Sequence, residues 1–211
     1  MTVELVHATP NAEELIVKMA RVSAPGNEAN METAPRLLRY LIKHQHWSPF
    51  EMANLCVAIN TTRGISAQII RHRSFSFQEF SQRYADVAAI GSPEMPQLRR
   101  QDLKNRQNSI DDLTANEVGT YYRRISQLFE EAEHLYREMV SKGIAKECAR
   151  NVLPLASRTR LYMNGSLRSW VHYIQLREAH GTQMEHMKIA KKIKAIFTEQ
   201  FPVIAEAAFS E

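Results

Sequence analysis

The sequence predicts an α/β (α+β) domain in which helices surround a small sheet. Apolar residues recur at helical spacing through much of the chain, most clearly from Val118 to Met139. Short segments rich in β-favouring side chains interrupt them, foremost MANLCVAINTT at 52–62. Neither a G-x-G-x-x-G nor a G-x-x-x-x-G-K-[ST] run is present, so the nucleotide folds built on those glycines are not indicated. With 211 residues, 44% of them hydrophobic, the chain can bury a core and reads as a single domain over 1–211.

The elements follow in order. VELVH (3–7) reads as a short edge strand. AEELIVKMARVS (12–23) spaces Leu15, Ile16, Met19, Ala20 and Val22 as a helix does. Residues 24–33 are small and polar, with Pro25 and Gly26, and form a loop. APRLLRYLIKHQ (34–45) sets Leu37, Leu38, Leu41 and Ile42 on one face, and Pro35 is tolerated in its first turn. Ser48 precedes Pro49 and so avoids helical geometry, which ends that helix. After the 52–62 strand, RGISAQIIRHR (63–73) returns to helix through Ile65, Ile69 and Ile70. Arg71 and His72 then fall at its C-terminus, and Ser74 to Arg83 form a long structured loop. Residues 92–117 are a polar surface excursion. The long amphipathic helix from Val118 ends near Ser141, with Gly143 as terminator. A short helix (145–151), a strand (158–164) and two helices (166–177 and 182–201) follow.

Composition narrows the function. A net charge of +4 is too small to indicate nucleic acid unless it is concentrated in a patch. No apolar run reaches the length of a membrane span, and MTVELVHATP has no secretory-signal pattern. A soluble, cytoplasmic protein without a membrane partner is expected. Cys56 and Cys148 stand in apolar surroundings at no metal or redox spacing, and read as core thiols of a reducing compartment. His44, His46, His72, His180 and His186 match no zinc pattern, so no metal is expected. Ser81 lacks the G-x-S-x-G turn and an adjacent base, which argues against a serine hydrolase.

The arginines carry the strongest chemical signal. RHRSFSFQEFSQR (71–83) places Arg71, His72, Arg73 and Arg83 around small hydroxyls and one carboxylate, Glu79. Arg150 in CARNVLP and Arg177 in YIQLREAH have apolar neighbours. A partly buried guanidinium needs an anion, because an unpaired charge is costly to desolvate. Few carboxylates are close in sequence: Glu79 near the first group and Glu178 near the last. Arg71, Ser81, Arg83 and Arg150 therefore fit a phosphomonoester or dinucleotide, which guanidinium meets bidentately. The alternative is a nucleic-acid-binding module built on the RHR cluster and Arg99-Arg100. Glu79 in the middle of the patch, and arginines scattered among apolar helices, count against it.

R-H-R, seven residues, then Ser (Arg71, His72, Arg73, Ser81) resembles the signature of the flavin-dependent thymidylate synthases. HQHWSPFE (44–51), ARNVLP (149–154), SLRSWVHYIQLR (166–177) and TQMEH (182–186) resemble further elements of that family, so the resemblance spans almost the whole chain. It implies the thymidylate synthase-complementing fold, with helices around a small mixed or antiparallel sheet. It also implies a homotetramer with active sites at subunit interfaces, each binding FAD. NADPH reduces the flavin, methylenetetrahydrofolate gives the carbon, and dUMP becomes dTMP without a cysteine nucleophile. Carried over by position, the flavin contacts are His46, Ser48, Glu51, Arg71, His72, Arg73, Glu79, Ser166, Arg168 and His172. The dUMP contacts are Gln68, Arg71, Glu79, Phe80, Ser81, Gln82, Arg83, Arg150 and Arg177. Arg177 would polarise the pyrimidine, and Ser81 would hydrogen-bond the substrate. The chain departs from the family pattern at Met52, Gln78 and Ser166, and His172 stands where some members have Asn.

Overall fold

The computed structural model describes residues 1–28 and 30–210. At its centre is an antiparallel four-stranded sheet in the order β1 (Thr2–Ala8), β2 (Asn54–Thr62), β6 (Arg158–Ser166), β3 (Ser76–Glu79). β1 lies at one edge, as VELVH suggests. β2 is buried continuously from Leu55 to Ile59, which explains why its sequence does not alternate: both faces are covered. β2 and β6 pair along their whole length, from Asn54 with Ser166 to Thr62 with Arg158.

The loop expected at 74–83 instead contains β3, which pairs with β6 from Ser76–Asn164 to Glu79–Leu161. The Ser–Phe alternation is itself the physical reason, because a period of two turns Phe75 and Phe77 to one face of the sheet. Both pack on the core. Gly165 in β6 lets Phe75 approach: a Cβ there would stand 2.5 Å from its ring. That ring also meets Trp170 edge-on at 4.7 Å and Tyr173 at 5.8 Å between centroids.

Eight helices surround the sheet among the described residues: α1 (Ala12–Ala20), α2 (Ala34–Lys43), α3 (Arg63–Ile69), α4 (Ala115–Ser141), α5 (Lys146–Ala149), α6 (Leu167–Glu178), α7 (Met184–Gln200) and α8 (Pro202–Phe209). α6 is the central one. Leu167, Trp170, Val171, Tyr173 and Ile174 are buried, and the Trp170 indole N–H donates to the Leu55 carbonyl at 2.8 Å. α3 stops at Ile69, so Arg71 and His72 lie in the turn beyond it rather than in its last turn. α8 was not expected. Pro202 begins it, and the Glu13 carboxylate accepts from the backbone N–H groups of Val203 (2.8 Å) and Ile204 (2.9 Å), capping its orphan donors from another helix.

The polar excursion at 92–117 carries a small hairpin, β4 (Arg100–Gln101) with β5 (Ser109–Ile110). It ends in a capping box: the Thr114 hydroxyl accepts from Glu117 N–H, and the Glu117 carboxylate accepts from Thr114 N–H. α4 therefore begins at Ala115, ahead of Val118. Cys56 is buried, but Cys148 is exposed, which corrects the expectation of a core thiol. α5 is a short turn of helix that turns Ala149 inward and leaves Cys148 outside.

Two helix ends share one motif with different residues. After α4, Gly143 takes a left-handed φ of 82°, with Ile144 N–H bonding to Met139 O and Gly143 N–H to Val140 O. After α2, Gln45 takes φ 57°, with His46 N–H bonding to Leu41 O and Gln45 N–H to Ile42 O. The second motif turns the chain into the HQHWSPFE segment.

Candidate active site

One cleft, of about 410 Å³, is lined by Trp47, Glu51, Ser74, Arg168, Ser169, Val171, His172 and Gln175. It lies where the 3-10 turn Ser48–Glu51 packs against α6. Glu51 organises it. Its carboxylate pairs with Arg168 at 2.7 Å and accepts from the Ser166 hydroxyl at 2.5 Å. The Ser166 bond, opposed in part by burial and reinforced by Arg168, holds the Glu51 carboxyl below the usual carboxylate range. Ser166 is also the N-cap of α6, accepting from Ser169 N–H at 3.4 Å. The departure at 166 thus leaves a residue that both caps the helix and ties it to Glu51. His46 and Ser48 are exposed on either side of Trp47.

Farther along α6, the Arg71–Arg73 turn meets the end of that helix. Arg177 Nε donates to His72 Nε2 at 2.8 Å. His72 packs edge-on against Tyr173 (4.8 Å between centroids) and His186 (6.2 Å). Burial, then the charges of Arg177 and His172, push the His72 pKa down to about 4. Beneath it the Tyr173 hydroxyl and His186 Nε2 are 3.0 Å apart, fully enclosed. Burial and the charges around it push the His186 pKa down to about 3, and burial raises that of Tyr173.

The nucleotide-side candidates are arranged differently. Glu79 Oε1 is held by three groups: Arg63 (2.6 Å), the Ser66 hydroxyl (2.6 Å) and the Thr159 hydroxyl (2.9 Å). Gln68 Nε2 donates to Gln183 Oε1 at 2.6 Å. Phe80 N–H bonds to the Arg160 carbonyl at 2.8 Å, which fixes the strand end. Ser81 is exposed, and Gln82 is buried with its Nε2 unpartnered among the described residues. Gln82 and Arg150 line a second cleft, of about 260 Å³, together with Arg63, Asn151 and Pro154. Arg83 is exposed and pairs with Glu147 at 2.6 Å.

The structure thus brings Glu51, Ser166, Arg168 and His172 together in one place, and Gln82 and Arg150 in another. His72 and Arg177 meet at the turn. It separates residues that are near in sequence. Glu79 pairs with Arg63 instead of Arg71, Arg73 or Arg83, and Glu178 pairs with Lys194 at 2.7 Å instead of Arg177. Among the described residues, Arg71, Arg73, Arg150 and Arg177 have no carboxylate partner. Arg99 is enclosed against Glu185 at 2.7 Å, and Arg100 pairs with Asp112 and Glu117, both at 3.0 Å. Sequence reasoning missed Trp47, Arg63, Ser66, Thr159, Tyr173, His186 and Gln183. The T-Q-M-E-H segment points toward His186 and Gln183. Only the pairing of β3 with β6 brings Thr159 to Glu79.

The family described as thymidylate synthase complementing protein matches residues 4–203. A probable flavin-dependent thymidylate synthase of Paramecium bursaria Chlorella virus 1 is 48% identical over 207 residues, covering 98% of this chain and 95% of that one. A flavin-dependent thymidylate synthase of Synechocystis is 48% identical over 195 residues, covering 92% and 88%. The crystal structure of a UMP/dUMP methylase from Streptomyces cacaoi bound with 5-Br dUMP superposes with a TM-score of 0.85 at 29% identity, covering 98% of this chain and 93% of that one. Matched along nearly its whole length in sequence and in fold, the chain belongs to the thymidylate synthase complementing protein family, that of the flavin-dependent thymidylate synthases.

Proposed function

We propose that this chain, acting as a single domain, methylates dUMP to dTMP, with FAD as its bound cofactor and methylenetetrahydrofolate and NADPH as co-substrates. The observation that carries the proposal is the set of guanidiniums without carboxylates. Glu51, Glu79, Glu147, Glu178 and Glu185 are all engaged elsewhere, which leaves the half-buried Arg150 and Arg177 without a carboxylate, whereas Arg71 and Arg73 are exposed, as are the unpaired Arg36, Arg123 and Arg124. A nucleotide phosphate and a pyrimidine carbonyl supply the missing acceptors. Arg99 is enclosed against Glu185, and Arg100, though exposed, is paired with Asp112 and Glu117, which favours this reading over a nucleic-acid-binding face.

The first cleft fits a flavin in the chemistry of its lining. Arg168 and His172 suit a diphosphate, the Gln175 amide and Ser74 hydroxyl suit a polar ring edge, and Trp47 offers an aromatic surface. His46, Ser48, Glu51, Ser166, Arg71 and Arg73 complete that set. A flavin bound there supplies the reducing equivalents that turn the transferred one-carbon unit into a methyl group. The chain's own residues do the rest. Gln82, Arg83 and Arg150 take the phosphate, Ser81 donates to it or to the sugar, and Gln68, Glu79 and Phe80 frame the nucleoside. The Arg177 guanidinium stands by the uracil carbonyl, where it stabilises negative charge as C5 becomes nucleophilic. Ser81 has no adjacent base and is not the nucleophile.

We infer a homotetramer that completes these sites between subunits. α4 supports it, since only Tyr136 of that long helix is buried while Tyr121, Leu128 and Leu135 of its apolar stripe are 58%, 63% and 41% exposed. A cytoplasmic setting suits the two free thiols, and no helix among the described residues is long and apolar enough to cross a membrane. The test is colour and isotope release. The purified protein takes up FAD, turns yellow, and releases tritium from C5-labelled dUMP when the co-substrates are added. A colourless protein that neither takes up FAD nor releases tritium overturns the reading.

A further inference from the structure

Arg177 has five N–H groups, and the structure commits only one of them. Its Nε–H is bonded to His72, while Nη1 and Nη2 have no hydrogen-bond partner among the described residues. A guanidinium is a rigid planar fork, so fixing the Nε end fixes the direction of the Nη edge. The acceptor is a lone pair on His72 Nε2. It exists only if His72 is neutral with its proton on Nδ1, because an imidazolium has two donors and no acceptor. The surroundings enforce that state. Arg177, His172 and Tyr173 face His72 from α6, His186 faces it from α7, and Phe75 faces it from the turn. No carboxylate stands among these groups. Glu178 is taken by Lys194, and Glu185 by Arg99. Its backbone is anchored: the His72 N–H bonds to Ile69 O, its carbonyl accepts from Phe75 N–H, and Phe75 is seated on Gly165.

We propose that His72 is a positioning residue for Arg177, its Nε2 lone pair holding the Nε–H so that the Nη edge is presented to the pyrimidine. The Tyr173–His186 pair, whose His186 Nδ1 has no partner among the described residues, is the floor on which the imidazole stands. This rests on the dUMP reading above and gives His72 a role other than touching the cofactor.

Two replacements separate acceptor from bulk. A Gln amide places its oxygen near the position of Nε2, whereas an Asn amide reaches only the position of Nδ1. His72→Asn is expected to lower kcat by roughly 100-fold, the scale of a misplaced catalytic group, with KM for dUMP changing far less. His72→Gln restores kcat to within about tenfold of the parent and, having no titrating ring, removes the acid limb of the kcat profile. Equal losses in both variants, or an unchanged kcat in His72→Asn, overturn the proposal. A second readout needs neither turnover nor a folded variant. Nitrogen-15 spectra of the histidine-labelled parent must show His72 Nε2 unprotonated at neutral pH. An Nε2–H tautomer or an imidazolium there overturns the proposal. If the parent shows the expected tautomer but converts no dUMP, it is the functional reading that fails.

Discussion

The two sides of the site differ in how many of their donors the chain itself satisfies. The cleft beside α6 is tied to its own chain: Glu51 engages Arg168 and Ser166, and Ser166 caps the helix that carries Arg168 and His172. On the proposed nucleotide side, Arg150 has no carboxylate partner, Gln82 Nε2 is buried without a partner, and Ser81 is exposed. One side is organised before anything binds. The other ties Glu79 to Arg63, Ser66 and Thr159 but leaves donors of Arg150 and Gln82 without a protein partner among the described residues. Arg177, at the end of α6, is fixed at one end by His72 and open at the other.

That contrast is broken most severely at this residue. Arg177→Ala is expected to lower kcat by about 10³-fold, the scale of a lost electrostatic donor, without a large change in melting temperature. Full activity in the variant refutes the role. Arg150→Ala should act on binding instead. It weakens dUMP affinity by about 2 kcal/mol, the scale of a charge-assisted hydrogen bond, and calorimetry with dUMP measures this directly. Unchanged affinity would mean that the second cleft is not the phosphate site. Ser81→Ala removes one neutral hydrogen bond, about 1 kcal/mol, and should keep measurable turnover. Complete loss with dUMP affinity intact would reinstate a nucleophile.

Two smaller effects concern the scaffold. His72 titrates at about 4 and His186 at about 3, against 6.5 for a free imidazole. Between those values the unfolded chain binds protons that the folded chain refuses. Stability is therefore full above pH 6.5 and declines as pH falls toward 4. Melting temperature should drop between about pH 6.5 and 5, before carboxylates begin to titrate. A flat profile there contradicts the enclosed, neutral pair. Finally, Gln45→Gly relieves a left-handed residue in the α2 terminus and should raise stability by up to about 1 kcal/mol, read by denaturant midpoint. Destabilisation would show that the Gln45 side chain matters to the turn.

The sequence made some of this visible and hid the rest for physical reasons. Helical periodicity located α1, α2, α4, α6 and α7, and β-branched composition located β2, because those signals are local. β3 was also local, in the alternation of Ser and Phe, but basic and hydroxyl residues around it read as loop. The Thr114-x-x-Glu117 box marks the start of α4, but it lies in a polar stretch that reads as excursion up to Val118. α8 was less legible, since its N-terminus is capped by Glu13 from the far end of the chain. At the site, motif resemblance named residues but not their partners. Sequence proximity matched Glu79 with the RHR group and Glu178 with Arg177. Folding assigned them to Arg63 and Lys194, because the register of β3 on β6 and the packing of α6 on α7 decide which charges meet. Cys148 misled because apolar neighbours in a four-residue helix do not all face inward.

The most direct test of the whole account is product formation. Purified protein supplied with FAD, NADPH, methylenetetrahydrofolate and dUMP should yield dTMP in step with dUMP consumed. Protein that binds FAD and dUMP yet forms no dTMP under these conditions would contradict it.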